Sequence, residues 1–282
     1  MTAAEKSFFR AVTSLDPEEI ISAWQSWRAS CPIDGIPYSE IRQLPLLEKR
    51  LKEAGAPDHP DRAKYRGVHK KQWTENQLAK RALSQALREL SDAGVTPLLL
   101  NGSHLDDALS LNDGERANGG AAILIPAQQR RTAEKILKLP KAKNLLAWWR
   151  TRHSHRDVVS PSAALRLWVH WFVLPWNPNR GIDALLWESA REAQIGDVRF
   201  PTLCPTDQLL YLVAQGRWSH PRDPLMWAVD AALYFAAHRT EIEWSRLAQH
   251  SRERKCAPFV HGGLQELAGL GMPIPEAMIL KP

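Results

Sequence analysis

The sequence predicts an α+β protein, with a small mixed β-sheet held between N-terminal and C-terminal helical regions. Three observations carry that expectation. Apolar residues recur at helical spacing before residue 93, and the same spacing returns from about residue 184. Between them, the runs Leu98-Leu99-Leu100 and Ala121 to Ile125 are too short for helices and are bounded by turn residues. Leu165 to Leu174 is rich in β-branched and aromatic residues, the types that fit a pleated, half-buried surface. The expected regions are 1–93 (helical, packing on the core), 94–180 (the core) and 181–282 (helical).

Each element has a local cause. Asp16-Pro17-Glu18-Glu19 reads as a helix start, with Asp16 as N-cap, Pro17 where its missing N–H is harmless, and Glu19 at the third position. Ile20, Ile21, Trp24 and Trp27 follow at helical spacing. A second helix is expected over Ser39 to Ala54, with Ile41, Leu44, Leu47 and Leu51 on one stripe and Gly55 and Pro57 beyond its end. A polar link, Ala56 to Asp61, precedes a longer helix from about Lys64 to Ala93. Its apolar face is Leu78, Leu83, Leu87 and Leu90, and Gly94 stops it.

The Leu98–Leu100 run breaks at Asn101-Gly102-Ser103. A polar connection then leads to the second run, which ends at Pro126. Ala127 to Leu139 reads as a helix, Leu145 to Trp149 as a strand or its lead-in, and Leu165 to Leu174 as a strand. Three or four strands therefore make the middle of the chain. Helices are expected over Ala184–Ala193, Thr206–Gln215, Pro224–His238, Glu243–Arg252 and Val260–Leu270. Thr206 is the expected N-cap of its helix, and Asp207 sits at the positive end.

Composition narrows the function classes. With 44% hydrophobic and 24% charged residues, the chain reads as a soluble globular protein. No apolar run approaches the roughly 20 residues that cross a bilayer, and Met1 to Leu15 lacks the basic-then-apolar pattern of a secretion signal. A cytoplasmic location without a membrane is expected. Cys31, Cys204 and Cys256 are widely spaced and form no CxxC pair, so neither a disulfide framework nor a zinc site is expected. The net charge of +6 allows an anionic partner, yet Lys and Arg are spread along the chain and a nucleic-acid partner is not expected. The densest basic segment, Arg62 to Lys80, reads as a solvated helix face.

The stretch 98–126 resembles the uncharacterised nucleotidyltransferases of the polymerase-beta type. Members of that family typically read Leu-Leu-Lys-Gly, then an arginine, then Asp-x-Asp followed by apolar residues and a proline. Here Asn101 stands at the lysine position, Arg116 at the arginine, and Gly120 and Ala122 at the two aspartates. A third acid usually precedes Leu-His-Trp on a neighbouring strand, and Trp168 stands there in Arg166-Leu167-Trp168-Val169-His170-Trp171. The resemblance continues through Leu44-Pro45-Leu46, Trp73 with Asn76, Pro205 with Asp207, Leu209 and Leu210, Trp227 with Asp230, and Glu243-Trp244. It spans roughly residues 40–275. It implies a nucleotidyltransferase core embraced by helices, with the metal-binding acids lost.

That loss matters for the chemistry. Nucleotidyl transfer uses two divalent ions that bridge the phosphates and activate the attacking oxygen. Strand alternation would aim residues 120 and 122 at those ions together, but glycine and alanine bring no side-chain oxygen.

Other residues keep alternatives open. Gly102 and Ser103 could cradle a phosphate or form an ordinary tight turn. Arg116 could hold a phosphate or lock the loop onto the next strand. Asp106, Asp107, Asp113 and Glu115 could solvate the loop, cap a short helix or rebuild a metal site, with Asp113 and Glu115 the fallback ligands. Arg150, Arg152, His153 and His155 could form a basic rim, an exposed turn or, through the two histidines, part of a metal site. His170 reads either as a packed strand residue or as an acid–base group, and Asp230 as a structural hydrogen-bonding residue.

The leading expectation is a catalytically degenerate, nucleotidyltransferase-like protein, a pseudoenzyme. It would act as a binding or scaffold component, and the resemblance suggests a helper role in a bacterial biosynthetic or peptide-modification pathway. Its partner would be a protein or peptide, or a nucleotide bound without metal, and no cofactor is expected. The alternative is an active transferase of NMP or phosphoryl groups, which would need magnesium on relocated acids.

Overall fold

The computed structural model describes residues 1–118, 120–138, 156–159, 166–174, 176–177 and 180–279. It holds a six-stranded mixed sheet in the order β3-β4-β2-β1-β6-β5. The strands are β1 (Leu98–Asn101), β2 (Ala121–Leu124), β3 (Arg156–Val159), β4 (Arg166–His170), β5 (Arg191–Ile195) and β6 (Val198–Thr202). β1 runs antiparallel to β2 and parallel to β6, and β2 runs parallel to β4. The two outer pairs, β3–β4 and β5–β6, are antiparallel.

Helices precede the sheet: α1 (Ala3–Thr13), α2 (Pro17–Ser30), α3 (Tyr38–Ile41), α4 (Leu44–Glu53) and α5 (Arg62–Asp92). Within and after it come α6 (His104–Ala108), α7 (Arg130–Ile136), α8 (Arg180–Glu188), α9 (Pro205–Ser219), α10 (Leu225–His238), α11 (Trp244–Glu253), α12 (Ala257–Gly269) and α13 (Glu276–Ile279). Among the described residues, no helix is long and apolar enough to cross a membrane.

Two apolar layers cover the two faces of the sheet. Leu98, Leu100, Ala122 and Leu124 join the larger core with α1, α2, α9 and α10, and Trp168 packs against it. Leu99, Ala121, Ile123, Leu167 and Val169 face the other way, onto Leu83, Leu87 and Leu90 of α5 and Ala133 of α7. The alternation follows from the period of two along a strand. Leu98, Leu99 and Leu100 are all 0% exposed. At about 1.5–3 kcal/mol for each fully buried side chain of this size, the central strand is a major source of stability. Gln208 of α9 donates to the Leu100 carbonyl at 3.0 Å, which ties the C-terminal helices to that strand.

Several expectations hold in detail. Asp16 caps α2, accepting from the Glu18 N–H at 3.0 Å, and Gly94 ends α5 in the left-handed region at φ 74°. The three cysteines are free.

Other expectations need correction. The helix expected over Ser39–Ala54 is two helices, because Pro45 has no N–H to continue the first and instead opens α4. Leu78 is 52% exposed, so the packed face of α5 is Leu83, Leu87 and Leu90, with Ala79. The helix expected at Ala184–Ala193 ends at Glu188, and Arg191 begins a strand. β5 and β6 form a hairpin about Gly196, at φ 62°. Four strands thus lie in the middle of the chain, as expected, and among the described residues the sheet gains two more beyond residue 180. The strand expected through Leu174 ends at His170. Thr206 is not a cap: Cys204 holds that position, and the Thr206 hydroxyl accepts from the Glu243 N–H at 2.9 Å. Leu145–Trp149 lies outside the described residues.

Candidate functional site

The three positions that the resemblance assigns to metal-binding acids meet where β2 and β4 run side by side. Ala122 and Trp168 are direct partners across the two strands, and Gly120 sits just before β2. A Cβ built on Gly120 would lie 2.5 Å from Trp168 Cζ3 and 2.8 Å from Cη2, and closer still to the Arg166 carbonyl oxygen. The Trp168 ring thus occupies the space that any side chain at 120 would need. Ala122 is 3% exposed and its methyl group belongs to the core.

The donor set does not fit a pair of magnesium ions. Magnesium needs hard oxygen ligands in near-octahedral array, whereas Gly120 and Ala122 carry no polar side-chain atom and an indole offers only an N–H donor. The loop acids do not supply the lack. Asp113 accepts from Lys80 at 2.5 Å and from Gln77 at 2.7 Å, anchoring the loop to α5. Glu115 accepts from the Asn112 backbone at 2.8 Å, its side chain at 2.9 Å and Lys49 at 3.0 Å. Burial would raise both carboxyls, but these partners outweigh it and hold them below their usual values. Glu115 opens onto a separate cleft beside Lys49 and His69. Among the described residues, no group of three or more His, Cys, Asp or Glu is placed to hold a metal ion.

Arg116 is the organising residue. Its side chain is 7% exposed and forms a two-pronged pair with Asp230 of α10, at 3.0 Å and 2.8 Å. It also donates to the Gly102 carbonyl at 3.2 Å, to Asn101 Oδ1 at 3.1 Å and to Asn118 Oδ1. Burial works against its charge, yet Asp230 and Asp106 outweigh burial and hold the guanidinium firmly protonated. Asp106 lies 3.5 Å from the guanidinium and accepts from Asn118. Burial is the largest influence on Asp106 and lifts its carboxyl to about 6, against the pull of Arg116 and Asn118.

Asn76 of α5 holds this loop by its backbone. Its amide donates to the Arg116 carbonyl at 2.8 Å and accepts from the Asn118 N–H at 3.1 Å. Arg42 adds a bond to the Ala117 carbonyl at 2.9 Å.

The turn after β1 is equally committed. Gly102 has φ 146°, and a Cβ there would lie 3.0 Å from that of Ala121, so glycine suits both backbone and space. Asn101 Oδ1 accepts from the Gly102 N–H at 2.8 Å. The buried Ser103 Oγ has no hydrogen-bond partner among the described residues. Next to it, His104 is fully enclosed, and burial, with Arg116 nearby, lowers its imidazole to about 3.

A cavity of ≈ 300 Å³ opens beside Ala122 and Trp168, between the sheet and helices α9 and α10. The sheet contributes Asn101, Ala122, Trp168 and His170. Tyr211 and Gln215 of α9 and Trp227 of α10 form the opposite walls, and Asp230 stands at the Arg116 side. Of the residues singled out in the sequence, Asn101, Ala122, Trp168 and His170 line this cleft, while Arg116 reaches it through Asn101 and Asp230 and Gly120 packs on the Trp168 ring behind it. Asp113 and Glu115 stay on the loop's other anchors. Arg150, Arg152, His153 and His155 lie outside the described residues.

Sequence reasoning missed Tyr211, Gln215 and Trp227 as wall residues, and Asn76 and Asn118 as loop clasps. The i, i+4 spacing of Tyr211 and Gln215 on an otherwise apolar helix was the available signal.

Residues 40–269 match the model of a family described as uncharacterised nucleotidyltransferase. No curated protein and no solved structure matches the chain.

Proposed function

We propose a function from one premise: the chain belongs to the uncharacterised nucleotidyltransferase family. Within it, this protein is a catalytically degenerate member that works as a binding or scaffold component rather than as a transferase. The observation that carries this reading is the Trp168 ring packed on Gly120, which leaves no room for an acid where the family places one. A side chain at 120 would meet both the indole and the Arg166 backbone. Restoring one aspartate therefore would not restore a metal site.

The phosphate-gripping side of the chemistry is weakened in parallel. Asn101 stands at the lysine position, and the Arg116 guanidinium is spent on Asp230, Asn118, Asn101 and Gly102. What persists is a formed cleft with aromatic walls, which suits binding. The ligand or partner enters without magnesium, and a helper role in a biosynthetic or peptide-modification pathway is the setting we favour.

Isothermal titration with ATP, GTP, CTP and UTP, each with and without magnesium, tests this. No magnesium-dependent binding and no release of pyrophosphate are expected. Magnesium-dependent binding at micromolar concentration, abolished by Asp113→Ala or Glu115→Ala, would overturn the reading in favour of an active transferase with relocated ligands.

A further inference from the structure

We infer that the cavity beside Ala122 and Trp168 takes an uncharged, flat nitrogen heterocycle that bears both a hydrogen-bond donor and an acceptor, and that it does not take a phosphate tail. The inference rests on the reading above, that the cleft works without metal.

Charge comes first. None of the described residues lining the cavity is Lys or Arg, and one of them, Asp230, presents a carboxylate. That carboxylate is already matched by Arg116 through two hydrogen bonds, so an incoming phosphate would compete with Asp230 for a cation while being repelled by it. Burial also holds the His220 imidazole, another wall residue, below its usual value, which removes a further source of positive charge at neutral pH. An anion gains nothing here, and an uncharged ligand loses nothing.

Shape comes second. The ≈ 300 Å³ volume lies at the small end for ligand pockets, enough for a ring system and too little for a long charged tail. Its walls are aromatic on three elements: Trp168 on β4, Tyr211 on α9 and Trp227 on α10. Flat rings stack on such walls whatever their substituents.

The polar atoms supply the third argument. Asn101 turns its Oδ1 to the Gly102 N–H and to Arg116, which fixes the amide orientation and leaves its Nδ2 as the donor end. Gln215 donates its Nε2 to Ser219 Oγ at 2.9 Å, while its Oε1 is buried and has no hydrogen-bond partner among the described residues. One oriented donor and one waiting acceptor match a ring that carries an amide- or amidine-like edge. A purely hydrocarbon ring would leave Gln215 Oε1 unsatisfied.

The test uses the full-length protein in EDTA, with adenosine, guanosine, cytidine and uridine as probes because they offer different polar edges on flat rings. Their triphosphates, with and without magnesium, and N-acetyl-tryptophanamide are titrated alongside, read by calorimetry and tryptophan fluorescence. At least one nucleoside is expected to bind, its triphosphate no tighter, and magnesium to have no effect. Gln215→Leu should weaken that binding about tenfold, the loss of one hydrogen bond, without lowering the melting temperature. Trp168→Leu should weaken it by a similar factor.

Silence from all four nucleosides, with magnesium triphosphates also silent, would overturn this inference and leave the degenerate reading standing. Binding of the indole probe alone would overturn it in favour of an aromatic peptide side chain. Magnesium-dependent triphosphate binding would sink both.

Discussion

Removing the carboxylate of Asp230 tests whether the Arg116 cluster is as dry as its geometry implies. The Arg116 side chain is 7% exposed and that of Asp230 14%, and the two meet through paired contacts at 3.0 Å and 2.8 Å. Breaking a buried pair by deleting one partner typically costs about 3–5 kcal/mol, because the other charge stays behind without compensation. Here the guanidinium keeps the Gly102 carbonyl, Asn101 and Asn118, with Asp106 3.5 Å away, so the lower part of that range applies.

For a domain of about this size, each kcal/mol moves the melting temperature by roughly 2–4 °C. Asp230→Ala should therefore melt about 6–12 °C below the parent protein, followed by circular dichroism at pH 7. Asp230→Asn keeps an oxygen for one of the two bonds and should fall between them. A shift within about 2 °C for Asp230→Ala would refute the reasoning, since it would mean that water reaches the guanidinium and the charge was never buried.

Two further perturbations probe Gly120 and the neighbouring Asp106. Gly120→Asp should destabilise the fold by at least about 1–3 kcal/mol in urea titration, the usual cost of overpacking. Adding Trp168→Ala should recover only part of the loss, because the Arg166 carbonyl also stands in the way; full recovery would show that the indole alone sets the limit. Asp106 makes a pH prediction of definite sign. Its carboxyl is raised from 3.8 to about 6 in the fold, so its contribution is fully present below the unfolded value and is lost as pH rises through about 6. Asp106→Asn should therefore gain stability relative to the parent between pH 4 and pH 7, by up to about 3 kcal/mol. A difference between the two proteins that does not change with pH would show that Asp106 is ionised throughout.

The parts of the fold legible in the sequence are those written in short-range chemistry. Leu98 to Leu100 and Ala121 to Ile125 read as strands because their apolar runs are bounded by turn residues, and the side-by-side placing of Ala122 and Trp168 followed from the family motifs. The β5–β6 hairpin was obscured because its outer positions, Arg191, Glu192, Gln194 and Arg199, are polar and solvent-facing on the sheet edge. The Gly196-Asp197 pair between two short alternating runs was the missed turn signal. Leu78 misled because periodicity finds a helix face but cannot say which turns of it are covered. The site was half legible for a similar reason. Departures from a family motif can be seen one at a time, whereas the pairing of Arg116 with Asp230 joins positions 114 apart in the chain and is fixed only by packing.

On the degenerate reading proposed above, the cleft departs from the family pattern in charges of both signs. Had only the acids been lost, a lysine at position 101 would have left an unmatched cation beside the cleft, still able to grip phosphate. Had only the lysine been lost, two or three carboxylates would have faced one another without metal, at the cost that buried like charges carry. Asn101, Gly120, Ala122 and Trp168 bring no charged side chain to this region, while Asp230 pairs with Arg116. Gly120→Asp would place a carboxylate against an indole and a backbone carbonyl. A working metal site would require Trp168 to leave and several ligands to arrive at once, and intermediate variants carrying one or two of those changes should be both less stable and still inactive.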